Sequence, residues 1–233
     1  MPLVTQINQK VRSQLDSQPT AAVAVQGWLH TPTEAALGAV GLTHGAGSNC
    51  QGALLIAVAE ALAECGYAVL RYDLPFRQLR PSGPPVGGKK GQAVDRDGVR
   101  AAAAFLREQV PNLPVYLAGH SYGGRQSTIA VSEDPTLADG LLLLSYPLHP
   151  PRQPEKLRTE HFPALRTPAL FVHGAKDEFG TQEEMRVAIA QIPSRTELMM
   201  VDRAGHSLAV RAVTPIVQSF VSFLAVHEGK GQL

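Results

Sequence analysis

Short apolar runs alternate along this chain with longer stretches whose apolar residues recur at helical spacing. Ala22–Leu29 and Ala39–Thr43, rich in Val and Leu, predict strands. In Gln51–Cys65 the apolar positions Leu54, Leu55, Val58, Ala61 and Leu62 share one helical face, and Gly66 ends that helix. A strand is expected at Tyr67–Leu74 and a helix at Gln92–Val110, whose run Ala101 to Ala104 favours that state. The same alternation continues: strand Val115–Gly119, helix Ser121–Glu133, strand Gly140–Tyr146, strand Pro168–His173, helix Gln182–Ile192, strand Glu197–Val201 and helix Val213–Val226.

The run at Gly140–Tyr146 is almost unbroken in its apolarity, as expected of a parallel strand covered on both faces. Strand–helix alternation of this kind predicts an α/β fold with a doubly wound, mostly parallel sheet flanked by helices. Two stretches break the rhythm. Pro75–Gly91, full of Pro and Gly, is expected to be a long loop. Pro147–Pro168 carries six prolines (Pro147, Pro150, Pro151, Pro154, Pro163 and Pro168) and is too short for a helical cap domain. Both follow strands, at the carboxyl edge of the sheet where open α/β proteins bind ligands.

Composition narrows the class. With 233 residues the chain is long enough for one domain, expected to span residues 1–233. Hydrophobic residues at 44% and charged residues at 18% exclude a disordered chain, and a net charge of +1 gives no sign of a nucleic-acid or membrane-surface partner. Only Cys50 and Cys65 are present, and both are expected to be free thiols. The segment Met1 to Asp16 has no apolar signal-peptide core, and no run approaches the ~18 apolar residues of a membrane span. The cytoplasm is therefore the expected location. No metal or cofactor motif is present, and the composition leaves the oligomeric state open.

The chemistry centres on Gly119-His120-Ser121-Tyr122-Gly123-Gly124, which follows a predicted strand and opens a predicted helix. A nucleophile on so tight a turn sits in strained backbone geometry, so the neighbours two residues away on each side must be small. The hydroxyl also lies at a helix N-terminus, where backbone N–H groups favour developing negative charge.

A serine hydroxyl needs a base, and the chain has eight histidines. Only His206, in Ala204-Gly205-His206-Ser207, comes between the last strand and the last helix. The orienting acid should fall between serine and histidine in sequence. Asp177, closing His173-Gly174-Ala175-Lys176-Asp177, meets that order; Glu178 is the reserve and Asp202 a weaker candidate. Asp73 precedes the serine and is expected to be structural. The loop His44-Gly45-Ala46-Gly47-Ser48 completes the set. An oxyanion hole is expected from the N–H of Tyr122 and that of Ala46, with Gly47 next.

These residues resemble the α/β-hydrolase superfamily from about Ala22 to about Val226. A closer resemblance is to a small branch related to dienelactone hydrolases, which includes the testis-expressed-protein type and a chromatin-complex subunit. It is carried by Thr43-His44-Gly45-Ala46-Gly47-Ser48-Asn49, Leu70-Arg71-Tyr72-Asp73-Leu74-Pro75-Phe76, Tyr146-Pro147-Leu148-His149-Pro150-Pro151, the run from Pro154 to His161, and His206-Ser207-Leu208. The resemblance implies a hydrolase fold without a cap and no particular substrate. Dienelactone hydrolases use a cysteine nucleophile where this chain has Ser121, a departure that argues against dienelactone activity itself.

The expected activity is hydrolysis of a small carboxylic ester, thioester or amide through an acyl-enzyme, and perhydrolysis would use the same residues. The alternative is a catalytically silent scaffold that binds a protein partner. Between Phe76 and Gln92 stand four cations, Arg77, Arg80, Lys89 and Lys90, and no acid. Together with Arg71 and Arg125 they suggest a substrate carrying negative charge, with Arg77, Arg80 and Arg125 as the contacts.

Overall fold

The computed structural model describes residues 1–11 and 23–228; Ala22, with which the first expected strand begins, lies outside them. Eight strands form one sheet in the order β1-β2-β4-β3-β5-β6-β7-β8. They are β1 (Leu3–Val11), β2 (Val23–Thr31), β3 (Gly38–Thr43), β4 (Tyr67–Tyr72), β5 (Val115–His120), β6 (Gly140–Leu144), β7 (Ala169–Gly174) and β8 (Thr196–Val201). The pairs β1/β2 and β2/β4 are antiparallel, and all others are parallel.

Alternate residues of the central strands supply two separate cores, which is why their sequences read as continuous apolar runs. Leu141, Leu143, Ala169 and Phe171 pack on one face against Ala102 and Leu106 of α3 (Gly88–Gln109), Val131 of α4 (Tyr122–Glu133) and Met185 of α5 (Gln182–Ile189). Leu142, Leu144, Leu170 and Val172 pack on the other against Leu62 of α1 (Ala53–Glu64) and Phe220 of α6 (Val213–Glu228). A capping box between Thr181 and Glu184 starts α5. Among the described residues no helix is long and apolar enough to cross a membrane.

Two elements depart from the sequence reading. Strand β1 was not expected. It is an edge strand paired only with β2, with Leu3 and Val4 exposed, so its alternation carries little apolar signal. The stretch Pro75–Gly91 is not wholly loop: α2 (Pro75–Leu79) opens it and α3 begins at Gly88. Pro75 sits at the first position of α2, where its missing N–H costs nothing. Gly87 precedes α3 at φ 83°, a conformation glycine adopts freely. Pro and Gly here mark helix starts rather than breaks.

The segment between β6 and β7 holds only a short 3-10 turn at Phe162–Ala164 and no α-helix, so there is no cap. It is nevertheless tied down: Phe162 and Leu165 are fully buried, and Arg158 N–H donates to Leu148 O at 2.8 Å.

Candidate active site

Ser121 stands between β5 and α4 at φ 50°, ψ −113°, a strained geometry that costs a non-glycine residue ~1–3 kcal/mol. Its N–H donates to Leu144 O at 2.8 Å, and its carbonyl accepts from Arg125 N–H at 3.0 Å. A Cβ on Gly119 would lie 2.4 Å from the Gly124 nitrogen, and one on Gly123 would lie 2.6 Å from His44 O. The elbow closes only because both positions lack a side chain.

Two further turns bring the other members to Ser121. Asp177 follows β7 in a turn closed by Asp177 N–H to Gly174 O at 3.0 Å, and His206 lies in the turn after β8. The two turns touch at Gly174, where a Cβ would meet Gly205 O at 2.3 Å and Ala204 O at 2.6 Å. His206 Nδ1 lies 3.0 and 2.9 Å from the two oxygens of Asp177. A carboxylate only accepts, so Nδ1 carries the hydrogen and Nε2 accepts from the Ser121 hydroxyl at 2.7 Å. Asp177 has no side-chain exposure and also accepts from Phe179 N–H at 2.9 Å. The Phe179 ring lies over the His206 imidazole, centroids 4.0 Å apart at 32°. Buried His173 donates from Nε2 to Gly180 O at 2.7 Å and stands 3.8 Å from Asp177 Oδ2. Glu178 and Asp202 are exposed, and neither forms a hydrogen bond or ion pair with His206.

His120, the residue before the serine, donates from Nε2 to the His206 carbonyl at 3.2 Å. Burial is the largest effect on its ring and holds its pKa below the ordinary histidine value. A Cβ on Gly45 would stand 2.9 Å from its Nδ1, so Gly45 admits this ring.

The loop 44–48 is fixed from behind. His44 is buried and neutral, its pKa lowered chiefly by burial; Nδ1 donates to Gly45 O at 2.9 Å, and Nε2 accepts from Leu74 N–H at 3.1 Å. Asp73, read as structural, accepts from Cys50 N–H at 2.7 Å. Tyr122 and Ala46 offer backbone N–H groups for which no partner is found among the described residues. The Tyr122 side chain turns away and donates to buried Asp95 at 2.6 Å, and Asp95 also accepts from Phe76 N–H at 3.0 Å. A cleft of about 400 Å³ opens over Ser121, lined by loop 45–48, His120, Phe179, His206 and Ser207. Among the described residues there is no cluster of three or more metal-ligating side chains.

The arginines correct the sequence reading. Arg77 is 5% exposed and faces inward. Its guanidinium donates to Ser48 O (2.7 Å), Ala46 O (2.7 Å), Gly83 O (3.0 Å) and Arg80 O (3.2 Å). It braces the loop beside the serine and has no free edge for a substrate. Arg80 is exposed and, like Arg125, is absent from the walls of the cleft. Asp95 and Phe179 were not singled out from sequence. Asp95 had a signal: it falls on the same α3 stripe as Val99, Ala102 and Leu106, an acid at a core position.

The model of the "Alpha/beta hydrolase domain" family matches residues 37–219, which contain every residue of this site. The chain belongs to that family. Solved structures of similar fold include a dienelactone hydrolase from Anabaena variabilis (20% identity, TM-score 0.68, covering 94% of this chain and 97% of that one). Est1E from Butyrivibrio proteoclasticus is similar over 94% of this chain and 99% of its own (15% identity, TM-score 0.69). So is a serine hydrolase without a lid from Xanthomonas campestris (17% identity, TM-score 0.61, 92% of this chain and 94% of that one). At these identities the likeness shows the fold alone.

Proposed function

We propose that the protein is a serine hydrolase that cleaves a small carboxylic ester through an acyl-enzyme on Ser121. The observation that carries this reading is the unbroken hydrogen-bonded chain from Ser121 Oγ through His206 to buried Asp177. His206 Nε2 takes the hydroxyl proton as Oγ attacks the carbonyl carbon. The N–H groups of Tyr122 and Ala46 receive the oxyanion. His206 then passes the proton to the leaving alkoxide, and water reverses the sequence to free the acid. Asp177 holds the Nδ1–H tautomer and stabilises the imidazolium. Thioester or amide bonds would be cleaved by the same steps.

The cleft favours short acyl groups. Its walls are glycine, alanine, serine and the rings of His120 and His206, with Phe179 as the one large apolar surface, and no cap adds a tunnel. Each further methylene gains ~0.8 kcal/mol only where it is buried. Within the family, the loop strings at 43–49 and 146–161 support placement beside the small cap-less branch related to dienelactone hydrolases.

A fluorophosphonate probe and p-nitrophenyl esters from acetate to palmitate test the reading. Labelling of the wild type but not of Ser121→Ala, with turnover highest at short chains, is the expected result. A folded wild type that takes no label and turns over no ester would instead favour the silent scaffold.

A further inference from the structure

Arg125 lies one helical turn beyond Ser121 on α4 and is only half-buried. Its Nη1 donates to Gln92 Oε1 at 3.1 Å, whereas its Nε is buried and has no hydrogen-bond partner among the described residues. A buried guanidinium donor without an acceptor is rare enough to need an explanation. Arg158 lies close enough to feel its charge, on the loop that Tyr146 pins by donating from its hydroxyl to Arg158 O at 2.6 Å. Of the Arg158 donors, Nη1 reaches only a backbone carbonyl, that of Pro147, at 3.3 Å.

Neither guanidinium has a carboxylate within 4 Å among the described residues, whereas neighbouring Arg96 is paired with Glu133. Glu160 stands in the same field but is exposed. Burial and then Arg125 hold Arg158 below the ordinary arginine pKa. Burial, followed by Arg125 and Arg96, depresses His161 to about 4, so this ring is neutral and adds no further cation. Thr128 donates to Arg125 O at 2.9 Å and therefore accepts from His161 Nε2 at 2.8 Å. Two like charges brought together with donors unused make a socket for an anion.

We propose that Arg125 and Arg158 form an anion-binding site beside the Ser121 cleft, and that it receives a carboxylate carried by the ester substrate. The proposal rests on the hydrolase reading and deepens it. Residues one turn apart on a helix have Cα atoms ~6 Å apart, and helical side chains lean towards the N-terminus, here towards Ser121. A carboxylate a few carbons from the scissile carbonyl could thus meet Arg125 while the carbonyl meets Ser121. The sequence suggested Arg77, Arg80 and Arg125 as contacts for such a charge; of these only Arg125 is kept, and Arg158 is added.

The test compares p-nitrophenyl hydrogen glutarate with p-nitrophenyl valerate, equal in acyl length, at low ionic strength. The wild type should favour the charged ester by a factor on the order of 10 to 100 in kcat/KM. That ratio should fall towards one in Arg125→Gln and in Arg158→Gln, while Arg158→Lys keeps part of it. It should also shrink in 1 M salt, where the Debye length is about 3 Å. In parallel, inactive Ser121→Ala protein is titrated calorimetrically with monomethyl glutarate, alone and with Arg125→Gln added. Valerate turnover without preference for glutarate, or a preference untouched by both glutamine variants, overturns the anion site and leaves the hydrolase reading standing. No turnover of either ester, with monomethyl glutarate still bound in an Arg125-dependent way, sinks the hydrolase reading and keeps the site. Absence of any binding overturns the site whatever the fate of hydrolysis.

Discussion

Arg77 donates from Nη2 to the carbonyl of Ala46 at 2.7 Å, so an arginine from the segment after β4 holds the peptide whose neighbouring N–H faces the proposed oxyanion. The same guanidinium reaches Ser48 O and Gly83 O, joining two loops that contain no regular structure.

Replacing it should therefore injure both stability and rate. Arg77→Ala leaves part-buried carbonyls without a donor, and hydrogen bonds from a charged group contribute ~1.5–3 kcal/mol each, though not additively. We expect a loss of about 3 kcal/mol in urea unfolding. The fall in kcat for p-nitrophenyl butyrate should be on the order of a hundredfold, with KM little changed, as for loss of an oxyanion donor. Normal stability and kcat, with only a charged ester affected, would return Arg77 to the substrate.

The chain order of serine, acid and base was legible because each sits in a short loop after a strand with its own small-residue pattern. What the sequence could not show was direction. Arg77 and Arg125 look alike as cations beside the site, yet one turns in to bond carbonyls and the other keeps an unpartnered donor. In the sequence Gly174 is only one member of the string that Asp177 closes; its purpose appears only when the turn after β8 lies against it. Strand β1 escaped because, among its described side chains, Ile7 alone packs against the core, too little to impose a period.

Gly174→Ala tests that contact. Its Cβ would stand 2.3 Å from Gly205 O, a backbone atom that cannot swing aside. The turns bearing Asp177 and His206 must separate. A misplacement of ~1 Å at a reacting group costs on the order of a hundredfold in rate. We expect such a loss in kcat and in the rate of fluorophosphonate labelling, with far-UV circular dichroism unchanged. Labelling at the wild-type rate would show that the turns accommodate a methyl group without moving the imidazole.

Tyr122→Phe should act through Asp95. Burial raises the pKa of that carboxyl, and the Tyr122 hydroxyl, at 2.6 Å, is the chief influence opposing the rise. A group with a raised folded pKa holds its proton to higher pH than the unfolded chain, so its charged form costs stability as pH rises. Removing the hydroxyl should cost ~1–3 kcal/mol at pH 7 and less near pH 4, where the carboxyl approaches neutrality. Denaturant midpoints at the two pH values measure this. An equal cost at both would mean that the carboxylate does not depend on the tyrosine.

His30 sets the sharpest acid limit. It lies on β2, 1% exposed, and its Nε2 accepts from Arg71 Nε–H at 2.8 Å. Acceptance requires a lone pair, so the ring must be neutral, and a proton there would break the bond and place two cations in contact. Burial first, and Arg71 second, lower its pKa to about 4 from 6.5. In the unfolded chain the ring protonates near 6.5, so between these values the unfolded state binds the extra proton. The stability His30 contributes is complete above pH 6.5 and is lost progressively as pH falls towards 4. The shift corresponds to an effect on the order of 3 kcal/mol. His30→Gln supplies an amide oxygen that accepts from Arg71 and does not titrate. The variant should start somewhat less stable at pH 7 and close most of that gap, or overtake the wild type, by pH 4. Urea unfolding of both proteins at half-unit steps from pH 7 to 4 reads the difference directly. Parallel curves over that range would show that His30 keeps an ordinary pKa and that another group governs the acid limb.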